Sequence, residues 1–251
     1  MNRCANRFVV YGLIGVTFIV CMILGYISVE NHNKLSPPKV TVVVLVSENE
    51  FETKRFLESV VKQTLKKIEV VCVCKKSNYI SGMIISDYVD KDSRIKFVLA
   101  DNEGTCGRMK NLGIKASKGE YLLFFDDSDV LFPYACEKSV ESAERFQVDI
   151  MEFGHINFSE TNLNELLSRE HDFSKIHVEK RSKSDNTFDK FFVECESVKN
   201  KIYNRSFIMR NKLAFCEEPE KNDNVIFNAK AFSLIYKIVK DDNPFCILTS
   251  L

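Results

Sequence analysis

Asp126-Asp127-Ser128-Asp129 is the densest carboxylate cluster in the chain. Oxygen ligands of this kind hold hard divalent cations such as Mg²⁺ and Mn²⁺, which in turn bridge carboxylates to phosphates. A solvated acidic turn would carry the same letters. The cation reading gains from position, because the tetrad follows directly on the apolar run Tyr121-Leu122-Leu123-Phe124-Phe125, and ligands in parallel α/β sheets bind beyond the carboxyl ends of buried strands. Asp126, Asp127 and Asp129 are therefore the candidate metal ligands. Cys72 and Cys74 share one face of a strand, a spacing that suits neither a disulfide nor zinc. Lys75 and Lys76 follow at once, and they read either as ammonium groups approaching a diphosphate or as a solvated surface pair.

The elements that would position these groups alternate. Val40–Val46 is a nearly continuous β-branched run, the pattern of a strand buried on both faces. Apolar residues at helical spacing over 50–63 follow, then a β-rich run over 68–73, a shorter helix over 83–89, a strand over 95–99, a helix over 108–116 and a strand over 121–125. Such alternation predicts a mainly parallel sheet with helices on both faces. The stretch 159–190 is polar and reads as an irregular insertion, and 225–238 has the apolar spacing of an amphipathic helix. There is no G-x-x-x-x-G-K-[ST], G-x-G-x-x-G or G-x-S-x-G motif.

From residue 39 to about 243 the chain resembles the family-2 glycosyltransferases of the GT-A, Rossmann-like fold. The resemblance is carried, in order, by Val40-Thr41-Val42-Val43-Val44, Phe56-Leu57-Glu58-Ser59-Val60 with Gln63-Thr64, and Asp92-Ser93-Arg94-Ile95. Lys110-Asn111-Leu112-Gly113 and Lys118-Gly119-Glu120-Tyr121 then lead into the acidic cluster, and Asn200-Lys201-Ile202-Tyr203 with Arg205-Ser206-Phe207 follows. It implies transfer of a sugar from a nucleotide-diphosphate donor to an acceptor hydroxyl, assisted by Mn²⁺ or Mg²⁺ bound through an Asp-x-Asp motif, because a leaving diphosphate develops charge that a cation neutralises. The positions it assigns to donor binding are Val44, Cys74, Lys75, Lys110, Asn111 and Asp126. Asp223, where the family commonly has Glu-Asp, is the candidate general base; an Asp before an apolar run also fits a helix N-cap.

The chain departs from the family pattern at the strand ends. Leu45-Val46-Ser47-Glu48 stands where Pro-x-Tyr-Asn is usual, and Cys74-Lys75-Lys76-Ser77 where Asp-Asp-Gly-Ser is usual. With Gly119-Glu120-Tyr121 and Phe132-Pro133 fixing the register, the family's Asp-x-Asp falls on Asp126, Asp127 and Ser128, so that a serine replaces the second metal carboxylate. These changes define the alternative expectation, a degenerate glycosyltransferase-like domain that binds a glycan or protein partner without catalysis.

The rest of the sequence bounds the setting. Formal charge is zero over 251 residues, which lacks the basic footprint of a nucleic-acid binder. Residues 8–29 are 22 consecutive positions without a charge, enough at about 1.5 Å each to cross a hydrocarbon layer of about 30 Å. They read as a transmembrane signal-anchor helix after a cytoplasmic tail, 1–7. A stem, 30–38, and the glycosyltransferase-like domain, 39–251, follow. Arg3 and Arg7 precede the span, so the positive-inside rule leaves the N-terminus cytoplasmic and places the domain in a lumen, such as that of the Golgi or ER, or outside the cell.

Overall fold

The computed structural model describes residues 36–157, 172–180, 196–219 and 221–249. The expected anchor, 8–29, lies outside them, as does most of the expected insertion. Among the described residues no helix is long and apolar enough to cross a membrane. The chain divides into a segment Met1–Pro37 and a compact unit Pro38–Leu251.

The four expected strands form neighbours in one sheet. β1 (Val40–Val46), β2 (Ile68–Lys75), β3 (Ile95–Ala100) and β4 (Tyr121–Asp126) lie in the order β3-β2-β1-β4, all parallel. β1 is buried along its whole length, and its side chains alternate between the two faces. Val40, Val42, Val44 and Val46 enter one core, whereas Val43 and Leu45 enter the other. A strand clad on both sides has no polar face to show, which is why its sequence is a β-branched run.

Helices cover both faces. α1 (Glu50–Val61), α2 (Tyr79–Lys91) and α4 (Ala135–Phe146) pack on the first core. α3 (Cys106–Ala116), α5 (Arg205–Arg210) and α6 (Asp223–Leu234) pack on the second. Asn49 caps α1 by accepting from the backbone N–H groups of Phe51 and Glu52, and Thr105 caps α3 by accepting from Arg108 N–H. α3 lies so close to β1 that a Cβ on Gly113 would stand 2.2 Å from Val43 Cγ1. Only glycine permits this approach, and it sets the N-terminus of α3 beside the strand ends.

Beyond β4 the sheet is mixed, which corrects the mainly parallel expectation. β8 (Lys201–Asn204) pairs antiparallel with β4 and with β6 (Ile150–Asn157), and β6 runs parallel to β9 (Lys237–Leu248). β9 also pairs antiparallel with β5 (Val130–Leu131) and β7 (Ile176–Lys180). Among the described pairings, four are parallel and four antiparallel.

Two boundaries differ from expectation. The amphipathic helix ends at Leu234; Ile235 is already extended, and Ile238 is buried in β9. Its apolar spacing ran across the junction because a helix face and a buried strand both require bulky aliphatics. Within 159–190, residues 176–180 are a regular strand in register Ile176↔Asp241 to Lys180↔Lys237. Exposure of Val178 and the charges at the strand's end give an edge strand a polar composition that resembles a loop.

Candidate functional site

A cleft of about 450 Å³ opens where β1, β2 and β4 end, a size within the range of small-molecule sites. Ser47 and Glu48 from the turn after β1, Glu52 from α1 and Lys75 and Asn78 after β2 line it, with Cys106 and Met109 from α3 opposite and Asp126, Asp127 and Ser128 below. The strand register makes this convergence: Val46 pairs with Cys74 and Leu45 with Asp126, so the three carboxyl ends finish at one level.

The acidic turn is built by specific hydrogen bonds. Asp127 is 2% exposed, and its Oδ2 accepts from Ser47 N–H at 2.9 Å, Ser47 Oγ at 3.1 Å and Thr53 Oγ1 at 2.7 Å. It therefore binds the β1–α1 turn to the β4–β5 turn. Asp129 is fully buried; its carboxylate accepts from Asp126 N–H at 2.9 Å and Thr249 N–H at 3.3 Å. The Ser128 hydroxyl accepts from Thr249 Oγ1 at 2.6 Å, and the Ser128 carbonyl accepts from Arg55.

Lys199, in the turn before β8, enters this cluster. Its Nζ stands 2.7 Å from Asp126 Oδ2 and 3.4 Å from Asp129 Oδ2. Burial pushes the Asp129 carboxyl up to about 6 against the pull of the Lys199 charge. Asp127 is also raised by burial, with the Thr53 and Ser47 hydrogen bonds opposing. For Lys199 burial works against the charged form, and the Asp126 and Asp129 carboxylates outweigh it, so that its pKa is raised.

Asp126, Asp127 and Asp129, the three carboxylates expected to hold a cation, each have protein partners in this arrangement. One Asp127 oxygen already takes three hydrogen bonds, Asp129 faces backbone N–H groups and Lys199, and an ammonium group lies against Asp126. Among the described residues no group of three or more His, Cys, Asp or Glu is placed to hold a metal ion.

The other expected site residues divide. Lys75 lines the cleft with Asp126 and Asp127. Val44 is fully buried, and its side chain belongs to the core. Cys74 is buried too; its thiol donates to the carbonyl of Asn78 at 3.9 Å, and burial pushes it up to about 11, with the Asp127 charge adding. Asn111 accepts from Phe215 N–H and donates to the Phe215 carbonyl and to Glu217, clasping the segment before α6. Lys110 donates to Asp223 Oδ2 at 2.8 Å and to Asn224 Oδ1.

Asp223 lies in the first turn of α6, and the N-cap is Asn222, whose side chain accepts from Val225 N–H. Asp223 faces a second hollow of about 230 Å³ with Thr105, Gly107, Cys216 and Lys221. Cys106 forms part of both hollows, so the acidic turn and Asp223 lie on either side of the α3 N-terminus. Asn78, Cys106 and Met109 carried no sequence signal. Lys199 precedes the recognisable Asn200-Lys201-Ile202-Tyr203 segment by one position, yet a lysine in a turn reads as solvated.

The Glycosyl transferase family 2 model matches residues 41–211. EpsH of Bacillus subtilis, named as a glycosyltransferase, is 33% identical over 109 residues, which are 43% of this chain and 31% of that protein. The chain thus spans about a third of that relative's length. Among solved structures, TarS 1-349 of S. aureus in complex with UDP-GlcNAc is similar with a TM-score of 0.69 at 20% identity, over 85% of this chain and 59% of that one. The mannosyltransferase PcManGT of Pyrobaculum calidifontis, in complex with GDP-Man and Mn²⁺, is similar with a TM-score of 0.59 at 14% identity, over 86% of this chain and 58% of that one. With the family model covering more than half of its length, this chain belongs to glycosyl transferase family 2.

Proposed function

We propose that this chain transfers a sugar from a nucleotide-diphosphate donor to an acceptor hydroxyl, with the donor in the cleft at the ends of β1, β2 and β4. The observation that carries this is the cleft itself, which sets the Lys75 ammonium at the same mouth as the acidic turn. A diphosphate lying there meets a positive group at one side, while the sugar extends towards the α3 N-terminus, beyond which Asp223 stands ready as general base. Support for this ligand class comes from the similar structures, of TarS with UDP-GlcNAc and of PcManGT with GDP-Man. Titration of the full chain with a panel of nucleotide sugars should give saturable binding by calorimetry that weakens in Lys75→Ala. Absence of binding by every member would end this reading.

A second reading, binding without turnover, draws on the buried Cys74 thiol and the committed Asp127 carboxylate, which stand where donor and metal contacts were expected. It expects the same nucleotide binding with no release of nucleoside diphosphate over long incubation. Turnover of donor would exclude it.

Residues 8–29 anchor the protein, with the N-terminus cytoplasmic and the domain on the far side of the membrane. The support is their 22 uncharged positions behind Arg3 and Arg7. Protease added to sealed vesicles of cytoplasmic-side-out orientation should leave the domain intact; its digestion would reverse the topology.

A further inference from the structure

We propose that the resident cation of the acidic turn is the Lys199 ammonium, and that nucleoside-diphosphate binding in the cleft consequently requires no divalent metal. The inference rests on the cleft being a nucleotide-sugar site and concerns how that site manages charge.

A divalent cation at this turn would need several oxygen ligands at about 2.0–2.2 Å, in near-octahedral array for Mg²⁺. The geometry offers something else. Asp126 is the one carboxylate of the turn with substantial solvent exposure, 40% at the side chain, and Lys199 Nζ already stands 2.7 Å from its Oδ2. The same ammonium lies 3.4 Å and 3.5 Å from the two Asp129 oxygens. A metal ion bound to Asp126 would face this positive charge at close range.

Two further oxygens of the turn, Asp127 Oδ2 and the Ser128 hydroxyl, are engaged elsewhere. Asp127 Oδ2 braces Ser47 and Thr53, and Ser128 offers a neutral hydroxyl that is bonded to Thr249.

Lys199 is also fixed in place. Its backbone N–H donates to Ser197 Oγ at 3.1 Å, and the Ser197 carbonyl accepts from Lys201 Nζ at 2.9 Å and from Asn228 Nδ2 at 3.0 Å. The turn carrying Lys199 is thereby held to β8 and α6, and the side chain is 9% exposed. A long flexible side chain loses conformational entropy when buried, and here two carboxylates offset that loss. The chemical result is that the Lys199 ammonium offsets part of the negative charge of the exposed Asp126 carboxylate, in a cleft that Glu48, Glu52 and Asp127 also line and that Lys75 enters with a positive charge. Lys199 acts as a positioning and charge-offsetting residue.

The test uses the full chain in mild detergent. UDP, GDP and their sugar conjugates are titrated calorimetrically in EDTA and again in Mn²⁺, and bound Mn²⁺ is counted separately by electron paramagnetic resonance. Equal affinity in both media with no stoichiometric Mn²⁺ is expected. Binding that appears only with Mn²⁺, or one tightly bound Mn²⁺ per chain, overturns the proposal while leaving the donor-binding reading intact. Failure of every nucleotide in both media removes that reading and this inference together.

Lys199→Met should weaken nucleotide binding in EDTA by about tenfold, in the range of one charge-assisted interaction, and Mn²⁺ should then restore part of the loss. Lys199→Arg should keep metal-free binding. A folded Lys199→Met variant with unchanged affinity in EDTA would also overturn the proposal. The measurements on the parent protein decide the matter if that variant does not fold.

Discussion

Asp223→Asn is expected to lower donor turnover by about 10²- to 10⁴-fold, the usual contribution of a general base, while nucleotide affinity stays where it was. Asparagine is the informative replacement because Lys110, 8% exposed at the side chain, donates to Asp223 Oδ2. Alanine would leave a buried ammonium short of a partner, and breaking a buried pair from one side costs about 3–5 kcal/mol, which would confuse lost catalysis with lost fold. Asparagine keeps an oxygen for Lys110 and removes only the capacity to take a proton. Steady-state rates and calorimetric donor affinity, measured on the same preparation, separate the two effects. An asparagine variant with parental turnover would dismiss Asp223 as the base; one that fails to bind donor would move Asp223 into the donor site.

Phe227→Ala is expected to destabilise the domain by about 3–5 kcal/mol. Phe227 is fully buried and stacks on Phe215 with ring centroids 4.0 Å apart. It also meets Tyr203 and Phe124 edge-on at 5.5 Å and 6.3 Å. Beside them the Tyr203 hydroxyl donates to Asn228 Oδ1 at 2.7 Å. The cluster fastens α6 to β4 and β8, so the same substitution loosens the support of Asp223 one turn away. Urea unfolding should show the midpoint falling with the slope retained. A loss below about 1 kcal/mol would mean that the cavity collapses and the cluster is not a rigid support.

The sheet half that builds the cleft was legible because β1, β2 and β4 are buried on both faces, and burial on both faces leaves mostly apolar letters, rich in β-branched and aromatic residues. The position of the acidic turn followed from β4 alone. β7 and β9 were missed because edge or interrupted strands mix charge with aliphatics; β9 contains Lys240, Asp241, Asp242 and Pro244 and shifts register against β6 near Gly154. The commitment of each carboxylate was also out of reach. Asp127 meets partners 74 and 80 positions away, and Lys199 reaches Asp129 across 70. Spacing along a chain carries no record of such encounters, so three aspartates that read alike have three different neighbourhoods: a brace, a buried anchor and a partner for an ammonium.

Thr249 gives the acidic turn a place in time as well as in space. Its N–H reaches Asp129 across 120 positions, and at the roughly 5–20 residues per second of protein synthesis that interval lasts roughly 6–24 s. Throughout it the nascent chain presents Asp129 without its last backbone donor and Ser128 without its hydroxyl partner. The cleft cannot reach its final shape on the ribosome until β9 has emerged and docked. A chain stalled short of β9 would carry every strand-end residue of the cleft and still lack the finished turn.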